Sequence, residues 1–437
     1  MNFIIRKLLF VFLYVSTTGY ALKAMDQEIV PCKNISKKEL ILGIKGLAQG
    51  IKSRIMYLLL QTFIVDFQLY KTLQGHTGGV NSVAFSPDGE TVLTGSEDKT
   101  AYIWNVKTQE LVTTLKGHTD SLLSVAFSPD GERCLTGSYD NTACVWSSKT
   151  GELLTTFKGH TGWIRSVAFS PNGQACLSGS GDKTACVWSS KTGELLTRFK
   201  GHTGWIMSVA FSPNGQACLT GSADKTACVW DPTTGRLLQT LQSYNNWFIF
   251  KGHKKGILFV VFSQTGKTCL TTSADKTASL WNIQTGEVLL TIENSNDSIL
   301  SAAFSPDGET IIGGSLDSTA SLWNSKNGKL ITTLKGHTKS ISSVAFSPDG
   351  ETLIVGSWDS TASLWKRVYD FNCLSQENQS RAFKHFLSFY PLLQKIRDTA
   401  SDELENSTDS PTEPLVIKGL GAGLDINSGA QKNCIIA

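Results

Sequence analysis

Net charge is nearly absent from this sequence: Lys and Arg number 40, Asp and Glu 37, and the formal net charge is +3 over 437 residues. Proteins that bind nucleic acids usually carry a basic excess. Its absence here predicts no nucleic-acid partner. Hydrophobic residues make up 41% of the chain, which is enough to bury a sizeable core.

Motifs of common catalytic and metal sites are also missing. The sequence has no Walker-type phosphate loop, no His-Glu-x-x-His, no Cys-x-x-Cys and no Gly-x-Ser-x-Gly elbow. These absences predict no metal and no cofactor, and they favour a protein that is not an enzyme.

Apolar runs are short. The N-terminal run LLFVFLYV, residues 8–15, follows two basic residues and precedes small residues, and it falls well below the roughly 20 residues of a permanent membrane span. Such a layout is typical of a secretory signal peptide. The sequence therefore predicts a signal at 1–24 and an exported protein, secreted or periplasmic. The alternatives are an uncleaved membrane-surface helix and a cytoplasmic protein.

Repetition dominates the rest of the chain. GHTGWIRSVAFS at 159–170 returns as GHTGWIMSVAFS at 201–212, and Gly-His pairs recur mostly at intervals of 42 residues. Repeats of about 20 to 50 residues indicate stacked supersecondary units. A Trp and an Asp recur in register in seven copies: Trp104, Trp146, Trp188, Trp230, Trp281, Trp323 and Trp365, with Asp98, Asp140, Asp182, Asp224, Asp275, Asp317 and Asp359.

Each copy contains four short β-rich runs separated by turn sequences such as Ser-Pro-Asp-Gly, Ser-x-Asp and Lys-Thr-Gly. Gly-His near the start, Ser-x-Asp before the third run and a closing Trp resemble the WD-repeat β-propellers. The resemblance covers 67–367, although the recurring Trp is followed by Asp only at Trp230-Asp231. It implies an all-β, seven-bladed propeller of four-stranded antiparallel blades.

The ends of the repeat region predict how the ring closes. The run FQLYKTL (67–73) precedes the first Gly-His, while the last copy stops after three runs. We expect this N-terminal strand to complete the seventh blade and remove two open sheet edges. The flanking segments 25–66 and 368–397 are expected to be helical, and the tail 398–437 disordered.

His160, Ser178 and Asp182 are residue types of a nucleophilic triad. Because comparable sets recur in other copies, the triad lacks the uniqueness of an active site. The resemblance to WD-repeat proteins implies instead that the His, the hydroxyl, the Asp and the Trp hydrogen-bond across each blade. The sets are His76, Thr94, Asp98 and Trp104; His118, Thr136, Asp140 and Trp146; His160, Ser178, Asp182 and Trp188; His202, Thr220, Asp224 and Trp230; His253, Thr271, Asp275 and Trp281.

Two copies depart from this pattern. Ser295 replaces the His and Gly313 the hydroxyl in the sixth copy, and Val355 replaces the hydroxyl in the seventh. We expect these two blades to be the loosest. Cysteine pairs such as Cys134 and Cys144 bracket the tight turn symmetrically, which predicts cross-strand neighbours. They are either buried thiols or strained disulfides.

Variable loops predict where a partner binds. Two loop positions change from copy to copy, and a nine-residue insertion at 242–250 is rich in aromatic residues. Such residues dominate protein interfaces, although those of the insertion are equally compatible with packing on the rim. The predicted partner-binding residues are Tyr139, Trp163, Trp205, Tyr244, Trp247, Phe248, Phe250 and Trp358.

Together these patterns predict a non-enzymatic, exported scaffold that binds a protein or peptide on the loop face of the propeller. The alternatives are a propeller enzyme or small-ligand binder at the central channel and a cytosolic WD-repeat adaptor. The C-terminal Cys434-Ile-Ile-Ala fits a prenylation box. Membrane attachment is expected only if this cysteine is lipidated or the signal is uncleaved.

Overall fold

The computed structural model describes residues 21–22, 29–30, 66–242, 252–293 and 297–368, and every regular element there is a β-strand. Strand β1 (Ala21–Leu22) pairs antiparallel with β2 (Ile29–Val30). The propeller is a separate compact unit, residues 66–368. In these described ranges no helix is long and apolar enough to cross a membrane. The expected flanking helices lie almost wholly outside them.

Seven sheets of four antiparallel strands form the propeller, so the predicted fold is confirmed. The innermost strands are β4 (Val80–Phe85), β8 (Leu122–Phe127), β12 (Ile164–Phe169), β16 (Ile206–Phe211), β20 (Ile257–Phe262), β24 (Ile299–Phe304) and β28 (Ile341–Phe346). The second strands are β5 (Thr91–Ser96), β9 (Arg133–Ser138), β13 (Ala175–Ser180), β17 (Cys218–Ser222), β21 (Thr268–Ser273), β25 (Thr310–Ser315) and β29 (Thr352–Ser357).

The outer half of each blade contains two further strands. The third strands are β6 (Thr100–Asn105), β10 (Ala143–Ser147), β14 (Ala185–Ser189), β18 (Ala227–Trp230), β22 (Thr277–Asn282), β26 (Thr319–Asn324) and β30 (Thr361–Val368). The outermost strands are β7 (Leu111–Lys116), β11 (Leu153–Phe157), β15 (Leu195–Phe199), β19 (Leu237–Leu241), β23 (Val288–Glu293), β27 (Leu330–Lys335) and, in the seventh blade, β3 (Asp66–Gln74).

The seventh blade contains both ends of the repeat region. β3 pairs antiparallel with β30, with Leu73 opposite Ala362 and Thr72 opposite Ser363. The sheet order is therefore β28-β29-β30-β3. Without this pairing, β30 and β3 would each have one more open edge.

The hydrophobic core lies between neighbouring blades. One cluster joins Leu177 and Val187 of the third blade to Ile206 and Val209 of the fourth. The blades approach closely because the second strand carries a glycine: a Cβ on Gly179 would lie 2.6 Å from Cγ atoms of both Ile206 and Val209. Atoms that close overlap, so this junction excludes any larger side chain.

Serine side chains link the innermost strands. Ser82 Oγ accepts a 3.0 Å hydrogen bond from the backbone N–H of Val125 in the next blade. Equivalent bonds occur at five other junctions, including the ring-closing bond from Val83 N–H to Ser343 Oγ at 3.1 Å. Phe259 occupies the serine position between the fifth and sixth blades, so this junction lacks the link.

The tight turn between the second and third strands has three residues. In the second blade, Ser138 N–H donates to the Thr142 carbonyl and Asn141 adopts a φ of 68°, the pattern of a three-residue hairpin with a left-handed last residue. The three turn residues 139–141 are centred on Asp140, whereas the midpoint of Cys134 and Cys144 is Tyr139, so Cys144 faces Thr136 and not Cys134. The expected direct pairing of the cysteines is therefore wrong, and the seven described cysteines are buried free thiols.

Candidate partner-binding face

In six of the seven blades a hydrogen-bonded set of four side chains holds the loop of this face, as the second blade illustrates. His118 Nδ1 lies 2.7 Å from Asp140 Oδ2, and Nε2 lies 2.7 Å from Thr136 Oγ1. Trp146 Nε1–H donates to the same hydroxyl at 2.8 Å. The equivalent residues of the first, third and fourth blades make the same contacts.

The fifth blade has a looser version. His253 Nε2 lies 2.7 Å from Thr271 Oγ1, and Trp281 donates to that hydroxyl. The Nδ1 atom of His253, however, lies 3.0 Å from Thr277 Oγ1 and 3.4 Å from Asp275 Oδ2. The ring is therefore shared between a hydroxyl and the carboxylate.

The carboxylate of each set also holds the backbone. Asp140 Oδ1 accepts from the N–H and hydroxyl of Thr142 within the turn, and Oδ2 accepts from the N–H of Thr119 in the Gly-His loop. Burial opposes ionisation, but the hydrogen bonds from His118 and Thr142 outweigh it and lower the pKa of Asp140. One charged side chain thus joins a turn, a loop and a histidine ring.

In the second blade, His118 carries the matching charge. Burial disfavours the charged ring of His118, but Asp140 and the nearby Cys144 outweigh it and raise its pKa to about 9. At neutral pH both ring N–H groups therefore donate, Nδ1–H to Asp140 and Nε2–H to Thr136. The Thr136 hydroxyl in turn donates to the Cys144 carbonyl at 3.4 Å, so the buried polar groups of the set are satisfied.

The third blade shows why this arrangement does not work as a triad. His160 lies 2.7 Å from Asp182 and 2.8 Å from Ser178 Oγ, which are the contacts of a nucleophilic triad. Ser178, however, is 1% exposed, and its hydroxyl accepts the Trp188 indole N–H at 2.7 Å. A substrate has no access to this oxygen. The set links the Gly-His loop to the second and third strands of the blade.

The seventh blade obtains its hydroxyl from another strand. Val355 pairs directly with Ser363, and Ser363 Oγ lies 2.6 Å from His337 Nε2 and accepts the Trp365 N–H at 2.8 Å. The expectation of a loose seventh blade rested on Val355 and did not take the hydroxyl of Ser363 into account. The signal was a serine eight residues after Val355, at the cross-strand position.

In the sixth blade the hydroxyl position is Gly313, and Ser295 lies outside the described residues. A Cβ on Gly313 would lie 2.8 Å from Trp323 Cζ3. The indole therefore occupies the space that a hydroxyl side chain fills in other blades.

An aromatic row crosses the loops of the second, third and fourth blades. The Tyr139 and Trp163 ring centroids lie 4.9 Å apart, and those of Trp163 and Trp205 lie 5.3 Å apart, both with edge-to-face geometry. Trp205 is 47% exposed. Three of the predicted binding residues thus form one continuous surface, which we call the aromatic row.

Trp358 lies apart from this row. Its side chain is 37% exposed, and its Nε1–H donates to Asn81 Oδ1 at 3.0 Å. Asn81 Nδ2–H in turn donates to the Leu122 carbonyl at 2.8 Å. The chain of bonds links the seventh, first and second blades. The predicted aromatic residues of the insertion, Tyr244, Trp247, Phe248 and Phe250, lie outside the described residues, as does Cys434.

Comparison with known proteins agrees with this geometry. The family model described as "WD domain, G-beta repeat" matches residues 67–105, 109–147, 151–189, 193–231, 245–282, 286–324 and 328–366. The chain belongs to the WD-repeat family. WD-repeat propellers are typically non-enzymatic scaffolds that bind protein partners.

Similar WD-repeat relatives match only over short segments. Pleiotropic regulatory locus 1 of Arabidopsis thaliana is 38% identical over 80 residues, 18% of this chain and 16% of the relative. Lissencephaly-1 homolog 1 of Paramecium tetraurelia is 51% identical over 39 residues, 9% of this chain and 10% of the relative. A ribosome biogenesis protein BOP1 homolog of Aedes aegypti is 42% identical over 52 residues, 11% of this chain and 6% of the relative. The chain thus spans a small part of each relative's length.

The predicted export of this WD-repeat protein is wrong. Its relatives are named as pleiotropic regulators and a ribosome biogenesis protein, which points to the cell interior. The signal-like pattern consists of a few charges and eight apolar residues, so many other segments can match it. Repeats with a fixed register carry far more information.

Proposed function

We propose that this chain is a non-enzymatic WD-repeat adaptor that works inside the cell and binds a protein or peptide through the aromatic row of its loop face. The observation that carries the proposal is the contact series from Tyr139 through Trp163 to Trp205. Large aromatic side chains in such surfaces dominate the binding energy of protein interfaces.

Backbone hydrogen bonds hold the loops that carry the row. Tyr139, Gly181 and Ala223 N–H groups each donate to the carbonyl of the adjacent loop at 2.9 Å, and the histidine sets hold those loops to the turns. A surface that is ordered before binding loses little conformational entropy when a partner docks. The row can therefore contribute affinity without a folding step.

Partner capture by full-length protein tests the proposal. Trp163→Ala with Trp205→Ala should abolish recovery of the specific partners identified by mass spectrometry, while the melting temperature stays close to that of the wild type. The matched control is Leu153→Ala with Leu154→Ala on the outermost strand, where the side chains are 50% and 52% exposed. Unchanged capture by the tryptophan variant, or equal loss in both variants, would reject the aromatic row as the binding site.

A further inference from the structure

Positive charge flanks the part of the aromatic row that lies on the third and fourth blades. The Gly-His loops and tight turns of the third and fourth blades carry four exposed lysines: Lys158, Lys183, Lys200 and Lys225. The acidic residues of those segments are Asp182 and Asp224, and each already accepts hydrogen bonds from a histidine, His160 or His202. No exposed carboxylate in those segments therefore balances the lysines.

The opposite face of the same blades is balanced. Its loops between third and outermost strands carry Lys191 with Glu194 and Asp231 with Arg236. The nearly neutral composition of the whole chain therefore hides a basic sector on the face that bears the aromatic row.

A fifth cation lies at the channel side of the row. Arg165 follows Trp163 by two positions on the innermost strand and is partly buried. Within the described part of the chain its guanidinium makes no hydrogen bond or ion pair. The equivalent positions of the other blades are uncharged: Asn81, Leu123, Met207, Leu258, Leu300 and Ser342.

The repeat geometry places Arg165 beside the row. Trp358 at the turn of the seventh blade donates to Asn81 of the next blade, and these two positions correspond to Tyr139 and Arg165. Arg165 therefore lies next to the Tyr139 end of the aromatic row. An arginine without a partner at a partly buried position matches a carboxylate well, because its fixed N–H groups bind both oxygens.

We propose that the partner on this face is an acidic peptide, in which one carboxylate side chain pairs with Arg165 while apolar groups pack on the aromatic row. This inference rests on the proposed function and specifies its partner chemistry. The lysines attract the acidic segment and repel basic ones, so they act mainly on association and specificity. The pairing at Arg165 acts on affinity because that group is partly shielded from water.

Fluorescence anisotropy on the full chain tests this chemistry with a labelled peptide that alternates Glu with Phe and Leu. Its Gln isostere and an oligouridylate RNA serve as competing probes. Arg165→Gln should weaken Glu-peptide binding about tenfold. Lys183→Gln with Lys225→Gln should weaken it severalfold and flatten its salt dependence. Lys149→Gln with Lys191→Gln makes the same charge change on the opposite face and should have no effect.

The outcomes separate this inference from the proposed function. If both peptides bind equally and only the tryptophan variant abolishes binding, the acidic partner is rejected while the aromatic site stands. Absence of Glu-peptide binding also rejects the acidic partner. The partner-capture experiment with the tryptophan variant then tests the aromatic row independently. Tighter binding of the RNA, lost in the Arg165 variant, would replace the peptide with a nucleic acid and overturn both proposals.

Discussion

Thr272 provides the sharpest test of the packing between blades. Its side chain is 0% exposed, and Oγ1 has no hydrogen-bond partner among the described residues. Burying an unsatisfied hydroxyl costs about 1–3 kcal/mol. Thr272→Val keeps nearly the same shape and removes the hydroxyl, so we expect the free energy of unfolding to rise by about 1 kcal/mol.

The neighbouring residue supplies a matched control of the same type. Thr271 is also 0% exposed, but its hydroxyl lies 2.7 Å from both His253 Nε2 and Trp281 Nε1. Thr271→Val leaves these two buried groups without their partner, and the unfolding free energy should fall by about 2–4 kcal/mol. The same chemical change at adjacent positions therefore has opposite signs.

Urea unfolding of the full chain measures both effects. The midpoints should move in opposite directions while the denaturant slope stays constant, since the exposed surface on unfolding is unchanged. A lower midpoint for Thr272→Val would refute the reasoning, because it would mean that the hydroxyl contributes a favourable interaction. Equal destabilisation by both substitutions would mean that shape outweighs polarity at this junction.

The same assay checks three further predictions. Ser363→Ala should lower the unfolding free energy by about 1–3 kcal/mol because it removes the hydrogen-bond partner of the His337 ring and the Trp365 indole. Ser321→Ala at the equivalent position of the sixth blade should lower it less. Equal losses would contradict the role of Ser363 as the replacement hydroxyl. The pKa of His118 is raised from 6.5 to about 9, so its contribution to stability is complete below pH 6.5 and is lost as pH rises towards 9. In this interval His118→Gln should reduce the decline of the unfolding free energy by up to about 1.4 kcal/mol per pH unit. An unchanged pH profile would mean that another group causes the decline. Lys183 has a φ of 70°, so Lys183→Asn should raise stability by up to about 1 kcal/mol; a lower midpoint would show that the lysine side chain compensates for its backbone.

The number of blades and their strand order could be predicted from the sequence because each blade repeats the same local pattern. The recurring His118, Thr136, Asp140 and Trp146 positions identified a network whose members are up to 28 residues apart in the chain. Repetition made this possible, since a spacing that recurs in register with the strands reports a contact in every blade.

Features that depend on register by one residue were not predictable in this way. The cysteine pairing failed because the turn that ends at the left-handed Asn141 is centred one residue beyond the midpoint of Cys134 and Cys144. The seventh blade's network was missed because Ser363 replaces a hydroxyl on a different strand. Both errors come from comparing positions along the chain when the contact is made across strands.

Substitutions inside the propeller are matched across the junction between two blades. Where the fifth blade carries Thr272, the facing position of the sixth blade is Ala302; at the other six junctions a glycine faces a valine. The larger side chain on one side is thus offset by a smaller one on the other. The junction, more than the single blade, is therefore the unit within which packing is adjusted.

The tryptophans of the aromatic row are not matched by a compensating substitution in a neighbouring blade. Trp163 and Trp205 occupy positions filled by glycine or serine in the other blades, including Gly79. Yet the loop backbone is the same: Glu97 N–H donates to the Gly79 carbonyl at 2.9 Å, and Gly181 N–H donates to the Trp163 carbonyl at 2.9 Å. Since the loop forms its backbone bond with or without an indole, the fold does not require these tryptophans. This independence from the fold is the reason for assigning them to partner binding and not to stability.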